Sequence, residues 1–395
     1  MSINTTNISL PLRLTFFIFS MVLNCMGIVI LQLSQENIGY DKLGFLEAFK
    51  DLPIALISLF AVNFISKFGT KKSLILALSI VGICSLILPF VQVFWFYKLW
   101  FAIIGTSFAI GKICVYGMIR NNIAEEKDLA KTMNNVEASF MIGIFVVNVG
   151  FGWLIASGYS EYWKFGFIFI SLVSLVTIYL LSKINIIEAD KNLKTDILSN
   201  LISFKKTSVV LFFGVVFFIV FTEQSFNSWL PTFYKTHLHV NSFFAIQASS
   251  MLAVFSYLGR IITANIIQRY SLVKYFRYCL LCIITLLSTI FLIQYFGSGQ
   301  SEILLYLFPV IGLFLSPLYP VINSKMISKI DSHKINTFTS VIVIFSSLGS
   351  SVSSILMSVL FENQLLTFYS LYILGAVLII FSLSFLYFKQ DYQKN

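Results

Sequence analysis

Lys112 stands inside the apolar run from Trp95 to Arg120, WFYKLWFAIIGTSFAIGKICVYGMIR, well away from either end. An ammonium at membrane depth costs about 2.5–3.5 kcal/mol even on lenient insertion scales, so such a residue is expected to face a bundle interior or a wet cavity. Helical spacing puts Gly105, Phe108, Lys112 and Tyr116 on one stripe. The chemistry open to that amine is charge pairing, either with an anionic solute or with Glu137 in the next apolar run, at nearly the same depth. Glu223, in a later run with Asn227 one turn on, is a candidate proton carrier, and Glu137 is another. Glu47, Lys50 and Asp51 fall at i, i+3 and i+4, a compact mixed-charge cluster that reads as an ion-pair group at the mouth or as a gate. Asn24, Tyr116, Gln247, Tyr319 and Asn323 supply hydrogen-bonding groups within apolar stretches, and are the expected solute contacts beside Lys112 and Asn227. Arg260 is expected to tie helix ends together near one membrane face, and Arg120 to mark a helix end.

Other chemistries find no residue set. Cys279 and Cys282 have zinc-like spacing but sit in an apolar helix without nearby histidines. His237 and His239 share a loop with no acidic partner, so no metal site is expected there. A phosphate-cradling glycine loop with its lysine and serine is absent, as is a nucleophile with its base. The expectation is therefore no enzyme activity and no cofactor.

These side chains must be positioned by membrane helices. Of the 395 residues, 58% are hydrophobic and 11% charged, against about 25% charged in soluble domains; mean hydropathy is +0.88. A crossing helix needs about 20 apolar residues. Spans are predicted at 13–33, 43–65, 72–93, 96–120, 132–156 and 162–183, then at 208–231, 241–266, 272–296, 302–326, 336–361 and 366–388. The first is read as a permanent span, since no signal-peptide cleavage site follows it. The expected fold is thus all-α and polytopic: twelve transmembrane helices in two six-helix bundles, 1–183 and 208–395, joined by a polar linker at 184–207.

The formal charge of +10 is a topology signal and not a nucleic-acid footprint. With both termini on one side, twenty basic residues fall on that side. Only Lys42, Lys98, Lys164 and Lys235 fall on the other, and Lys50, Lys112 and Arg260 lie within spans. By the positive-inside rule the termini are expected in the cytoplasm, and the setting is an inner (plasma) membrane of bacterial type. The expected partners are the lipid bilayer, a small-molecule substrate and a proton, with the chain working as a monomer.

The halves echo each other. Ser66-Lys67-Phe68-Gly69-Thr70-Lys71-Lys72 follows the second span, and Gly259-Arg260 with Gln268-Arg269-Tyr270-Ser271 stands at the matching place in the second half. Parallel six-span repeats of this kind build one large class of carriers, with substrate held between the halves. At these residues the chain resembles the major facilitator superfamily. The family's loop pattern G-x-x-x-D-R-x-G-R-R aligns with Val62, Ser66, Lys67, Gly69, Thr70 and Lys71, keeping the turn glycine and the basic character but not the acidic residue. A narrower resemblance, to the fucose/galactose/glucose-proton symporter branch, rests on Phe49–Phe60 (FKDLPIALISLF), on Glu223–Pro231 (EQSFNSWLP) and on Gly312–Ile330 (GLFLSPLYPVINSKMISKI). That branch carries carboxylates in its first and fourth spans. Here the first offers only Asn24 and the fourth offers Lys112.

The expected function is secondary active transport by alternating access, proton-coupled, of a small anionic organic solute such as a carboxylate metabolite or a carboxylate-type siderophore. A proton-coupled sugar symporter is the alternative that the narrower resemblance implies, and a transporter-like solute sensor is another. Pro317 and Pro320, within a span that also carries Ser316, Tyr319 and Asn323, predict a broken, cavity-facing helix.

Overall fold

The computed structural model describes residues 5–26, 28–29, 33, 40–91, 93–123, 125–156, 160–184, 186, 207–240, 242–297, 302–331, 334–363 and 365–392. Among these residues there are helices and turns and no strand. In hydrocarbon every backbone N–H and C=O must be satisfied internally, and a chain this apolar meets that condition as helices.

The first six long helices are α1 (Thr5–Asn24), α2 (Tyr40–Phe68), α3 (Thr70–Ile87), α4 (Phe94–Asn122), α5 (Glu126–Ala156) and α6 (Gly166–Lys183). There follow α7 (Thr207–Thr236), α8 (Ser242–Ile266), α9 (Leu272–Phe296), α10 (Ile303–Leu315), α11 (Leu318–Ile327), α12 (Ile335–Glu362) and α13 (Tyr369–Tyr392). Among the described residues, nine spans are long and apolar enough to cross a membrane. The pair Phe49–Ser58 and Phe60–Phe68, bent by 62°, makes a tenth when taken as one span. The linker expected at 184–207 lies almost wholly outside the described residues, as does the side chain of Glu47.

Gly69, at φ 88°, makes the one-residue break between α2 and α3. A left-handed φ is open to glycine at no steric cost, which explains the turn glycine in that basic loop. The Lys71 ammonium donates to the carbonyls of Ser182 (2.9 Å) and Ile184 (2.7 Å), fastening the start of α3 to the end of α6.

The span predicted at 302–326, with its break at Pro317 and Pro320, is two helices. Pro320 has no N–H to offer the carbonyl four residues back, that of Ser316, so the helix interrupts between α10 and α11. The freed carbonyl becomes part of the site described below.

The first six helices meet the later ones along two main seams, α5 against α8 and α2 against α12. The fifth helix of each group meets the second of the other, the arrangement a repeated unit produces. Within each group the fifth helix also lies close on the first. A Cβ on Gly143 would strike Ser20 and the Phe17 carbonyl of α1, and one on Gly349 would strike the Phe217 carbonyl of α7. Small residues at such crossings let helix backbones approach where no hydrophobic effect drives them together. Large apolar side chains including Phe60, Trp153, Leu175 and Ile355 are exposed on the surface, as lipid-facing positions require.

Candidate functional site

Between the two seams lies a cavity of about 640 Å³. Its wall includes Ile28 near the end of the first span, Lys50 and Asp51 in the first half of α2, Asn148 in α5, and Pro231 and Lys235 at the end of α7. All of these lie toward the ends of their helices remote from the chain termini, so the cavity opens on the face opposite the termini. On the terminal face the halves are closed against each other. The Arg120 guanidinium donates to the carbonyls of Ile327 (3.2 Å) and Ser328 (3.1 Å), and Lys127 donates to the carbonyl of Gln268 (3.0 Å). Lys325 pairs with Glu126 at 3.8 Å. Arg120, expected only to mark a helix end, is therefore a clasp between α4 and the end of α11.

The floor of the cavity holds four charged side chains: Lys112, Glu137, Glu223 and Arg260. Arg260 is the centre of the group and is only 2% exposed. Its Nε donates to the Ser316 carbonyl (3.0 Å), the acceptor released by Pro320. Its Nη1 donates to the Glu137 backbone carbonyl and lies 3.3 Å from Glu137 Oε2. Its Nη2 lies 3.6 Å from Glu223 Oε1. One guanidinium thus joins α8 to α5 across the seam and to α7 within its own half. This corrects the expectation that Arg260 ties helix ends at a membrane face. Its backbone is six residues from the end of α8, about 9 Å by helical rise, but the long side chain carries the charge inward to the carboxylates.

Glu137 accepts a second hydrogen bond, from the Tyr116 hydroxyl at 2.8 Å. With Arg260 and Tyr116 as its closest partners it makes no direct ion pair with Lys112, one of the two pairings open to that amine, and its charge acts on the ammonium only at longer range. Among the described residues no carboxylate comes within 4 Å of the Lys112 ammonium. That ammonium instead lies over aromatic faces: Tyr319 at 4.4 Å from the ring centroid, Phe108 at 5.6 Å and Tyr116 at 5.8 Å. A cation so placed is held by ring quadrupoles worth about 0.5–2 kcal/mol each. Glu223 differs from Glu137: among the described residues its Oε1 is buried without a hydrogen-bond partner, and its one ion-pair contact is the long one to Arg260.

The remaining expected residues divide. Asn24, Asn227 and Tyr319 line the cavity with Lys112, and the Tyr319 hydroxyl lies 3.1 Å from Ser346 Oγ. Tyr116 is 1% exposed and touches the cavity floor through Glu137 and Lys112 without lining the wall itself. Asn323 is fully buried one turn beyond Tyr319, and neither of its side-chain polar atoms has a partner among the described residues. Gln247 is turned toward Gly152 of α5, and neither it nor Asn323 is among the residues of the wall. At the mouth, Lys50 and Asp51 pair at 3.7 Å, and Ser347 of α12 donates to the Asp51 carbonyl at 3.0 Å across the α2–α12 seam. The sequence reading missed the lining serines Ser249, Ser346 and Ser350. Their only signal was a small-residue run that close helix packing explains equally well.

A helical bundle with a charged, solute-sized cavity between two similar groups of spans, open on one face and clasped on the other, defines a membrane carrier. The chain matches the Major Facilitator Superfamily model over residues 12–354 and belongs to that family. It is an integral membrane transporter. Its fold is similar to that of the Escherichia coli fucose:proton symporter, at TM-score 0.76 and 14% identity, covering 96% of this chain and 98% of that one. A bacterial homologue of the iron transporter ferroportin, in an outward-facing state, gives TM-score 0.74 at 12% identity, over 97% and 99% of the two chains. The human organic anion transporter TETRAN gives 0.73 at 15% identity, over 96% and 98%. At such identities the likeness is one of fold. No curated protein sequence matches the chain.

Proposed function

We propose that this transporter moves a small organic anion together with a proton, by alternating access. The observation that carries the reading is the Lys112 ammonium, lodged in the cavity floor over three aromatic rings and with no carboxylate within 4 Å among the described residues. With Glu137 and Glu223 both ionised, the floor carries two positive and two negative charges. A proton on Glu223 leaves it with one net positive charge and relieves Arg260 of one of its two carboxylates. A carboxylate solute then restores neutrality, so proton and anion each favour the other's binding, as linkage requires. Glu223 suits the proton because its contact to Arg260 is the weaker one and its Oε1 accepts no hydrogen bond.

Transport then needs the terminal-face clasps of Arg120, Lys127 and Lys325 to open while the α2–α12 mouth closes. The two halves rock about the α5–α8 and α2–α12 seams, while the close crossings at Gly143 and Gly349 hold α5 on α1 and α12 on α7 within each half. The bias of basic residues toward the terminal face supports a plasma-membrane setting with cytoplasmic termini. One copy of the chain encloses the whole cavity, which suits a monomer.

Purified protein in vesicles tests the coupling, with labelled citrate and lactate and an inward proton gradient. Accumulation above equilibrium is expected in the wild type. Glu223→Gln, fixed in a neutral state, is expected to equilibrate solute without concentrating it. Accumulation indifferent to the gradient, or undiminished in Glu223→Gln, overturns the coupling. Competition by neutral hexoses alone would give the site to a sugar instead.

A further inference from the structure

The two halves contribute unlike walls to the one cavity. From the first six helices, between the floor and the mouth residues Lys50, Asp51 and Asn148, come Phe16, Leu23, Phe108, Phe140, Met141 and Ile144, a mainly hydrocarbon and aromatic surface with Asn24 beside it. From the later helices come Gln224, Asn227, Ser228, Ser249, Ser346 and Ser350, a surface of amides and hydroxyls. Both walls rise from the same charged floor. Neither fits the other's role: an apolar wall left wet forgoes about 25 cal/mol for each Å² a solute could cover, and a polar wall covered by hydrocarbon loses its hydrogen bonds to water.

We infer that the solute is an amphipathic anion: a carboxylate set at Lys112 on the floor, hydroxyl or amide groups along one edge toward α7, α8 and α12, and a hydrocarbon face toward α1, α4 and α5. A small hydrophilic acid would leave most of the 640 Å³ cavity as water against the Phe140 and Met141 side. The inference rests on the anion reading above and narrows it to acids that carry both kinds of surface.

Four probes separate the contributions in binding to the purified full-length protein. Glucuronate has the acid and the hydroxyl edge, phenyl β-glucuronide adds the apolar face, phenyl β-glucoside lacks the acid, and 3-phenylpropionate lacks the hydroxyls. Phenyl glucuronide is expected to bind about tenfold or more tightly than each of the other three, because burying a phenyl face, pairing the acid or meeting the polar wall is worth a decade or so apiece. Met141→Gln, close to the original in volume but polar, is expected to bring the phenyl glucuronide to glucuronate ratio toward one, while Met141→Leu keeps it. Equal binding of glucuronate and phenyl glucuronide in the wild type, or an unchanged ratio in Met141→Gln, overturns the two-faced solute and leaves the anion reading standing. Equal binding of phenyl glucoside and phenyl glucuronide overturns the acid end, and the anion reading with it, through a different pair of probes. Binding of none of the four overturns both.

Discussion

Replacing Arg260 by methionine keeps most of the buried stem and removes the guanidinium on which the floor depends. At an effective dielectric constant of about 20, unit charges separated by the 3.3 Å and 3.6 Å seen here attract by about 5 kcal/mol each. Most of that gross attraction is offset by the desolvation of three charged groups. Breaking a buried pair nonetheless destabilises by about 3–5 kcal/mol, because it leaves charge without compensation. The Ser316 carbonyl, already deprived of a helical donor by Pro320, loses its partner as well, for about 1–3 kcal/mol more. Without Arg260 the two carboxylates face each other across the floor, so neutralising one of them offsets part of the loss. The assay is thermal unfolding of purified Arg260→Met against wild type, with Glu223→Gln added in both backgrounds. Glu223→Gln is expected to recover stability in Arg260→Met and not in wild type. Arg260→Met unfolding within about 0.5 kcal/mol of wild type, with no recovery on adding Glu223→Gln, would refute the bridge.

Arg120→Ala removes two charged donors from the carbonyls of Ile327 and Ser328 at the end of α11. It is expected to raise the population open on the terminal face about tenfold or more, read as faster alkylation of a cysteine placed at Asn323 in a background lacking the native cysteines. Gly349→Val is expected to cost about 1–3 kcal/mol in thermal unfolding, since its side chain would meet the Phe217 carbonyl of α7. Gly375→Ala, with open space around it, is expected to be neutral or slightly stabilising.

The spans were legible because each needs a long apolar run, and the helix break was legible because a proline removes an N–H wherever it stands. Lys112 was legible for a similar reason: a charge inside an apolar helix has few places to go. Arg260 was read at the wrong depth because backbone position was taken for charge position, and an arginine side chain moves its charge by several ångströms. Its partners Glu137 and Glu223 are separated from it by 123 and 37 positions, a pairing that only the α5–α8 seam and the α7–α8 contact create. Tyr116, Gln247 and Asn323 show a different limit. In a helix apolar on every side the periodicity does not say which face turns inward, so a polar residue points to the cavity only after packing has set the rotation. The clasp at Arg120 was hidden for the same reason as the bridge, since its acceptors are backbone carbonyls about two hundred positions away.

The central claim is that the amine at Lys112 receives the acid group of the solute. Equilibrium binding of phenyl β-glucuronide and of its neutral glucoside to wild type, Lys112→Met and Lys112→Arg tests it most directly. The account predicts that Lys112→Met loses about tenfold or more in affinity for the acid and none for the glucoside, while Lys112→Arg retains the preference for the acid. Equal affinity of wild type and Lys112→Met for the acid would contradict it.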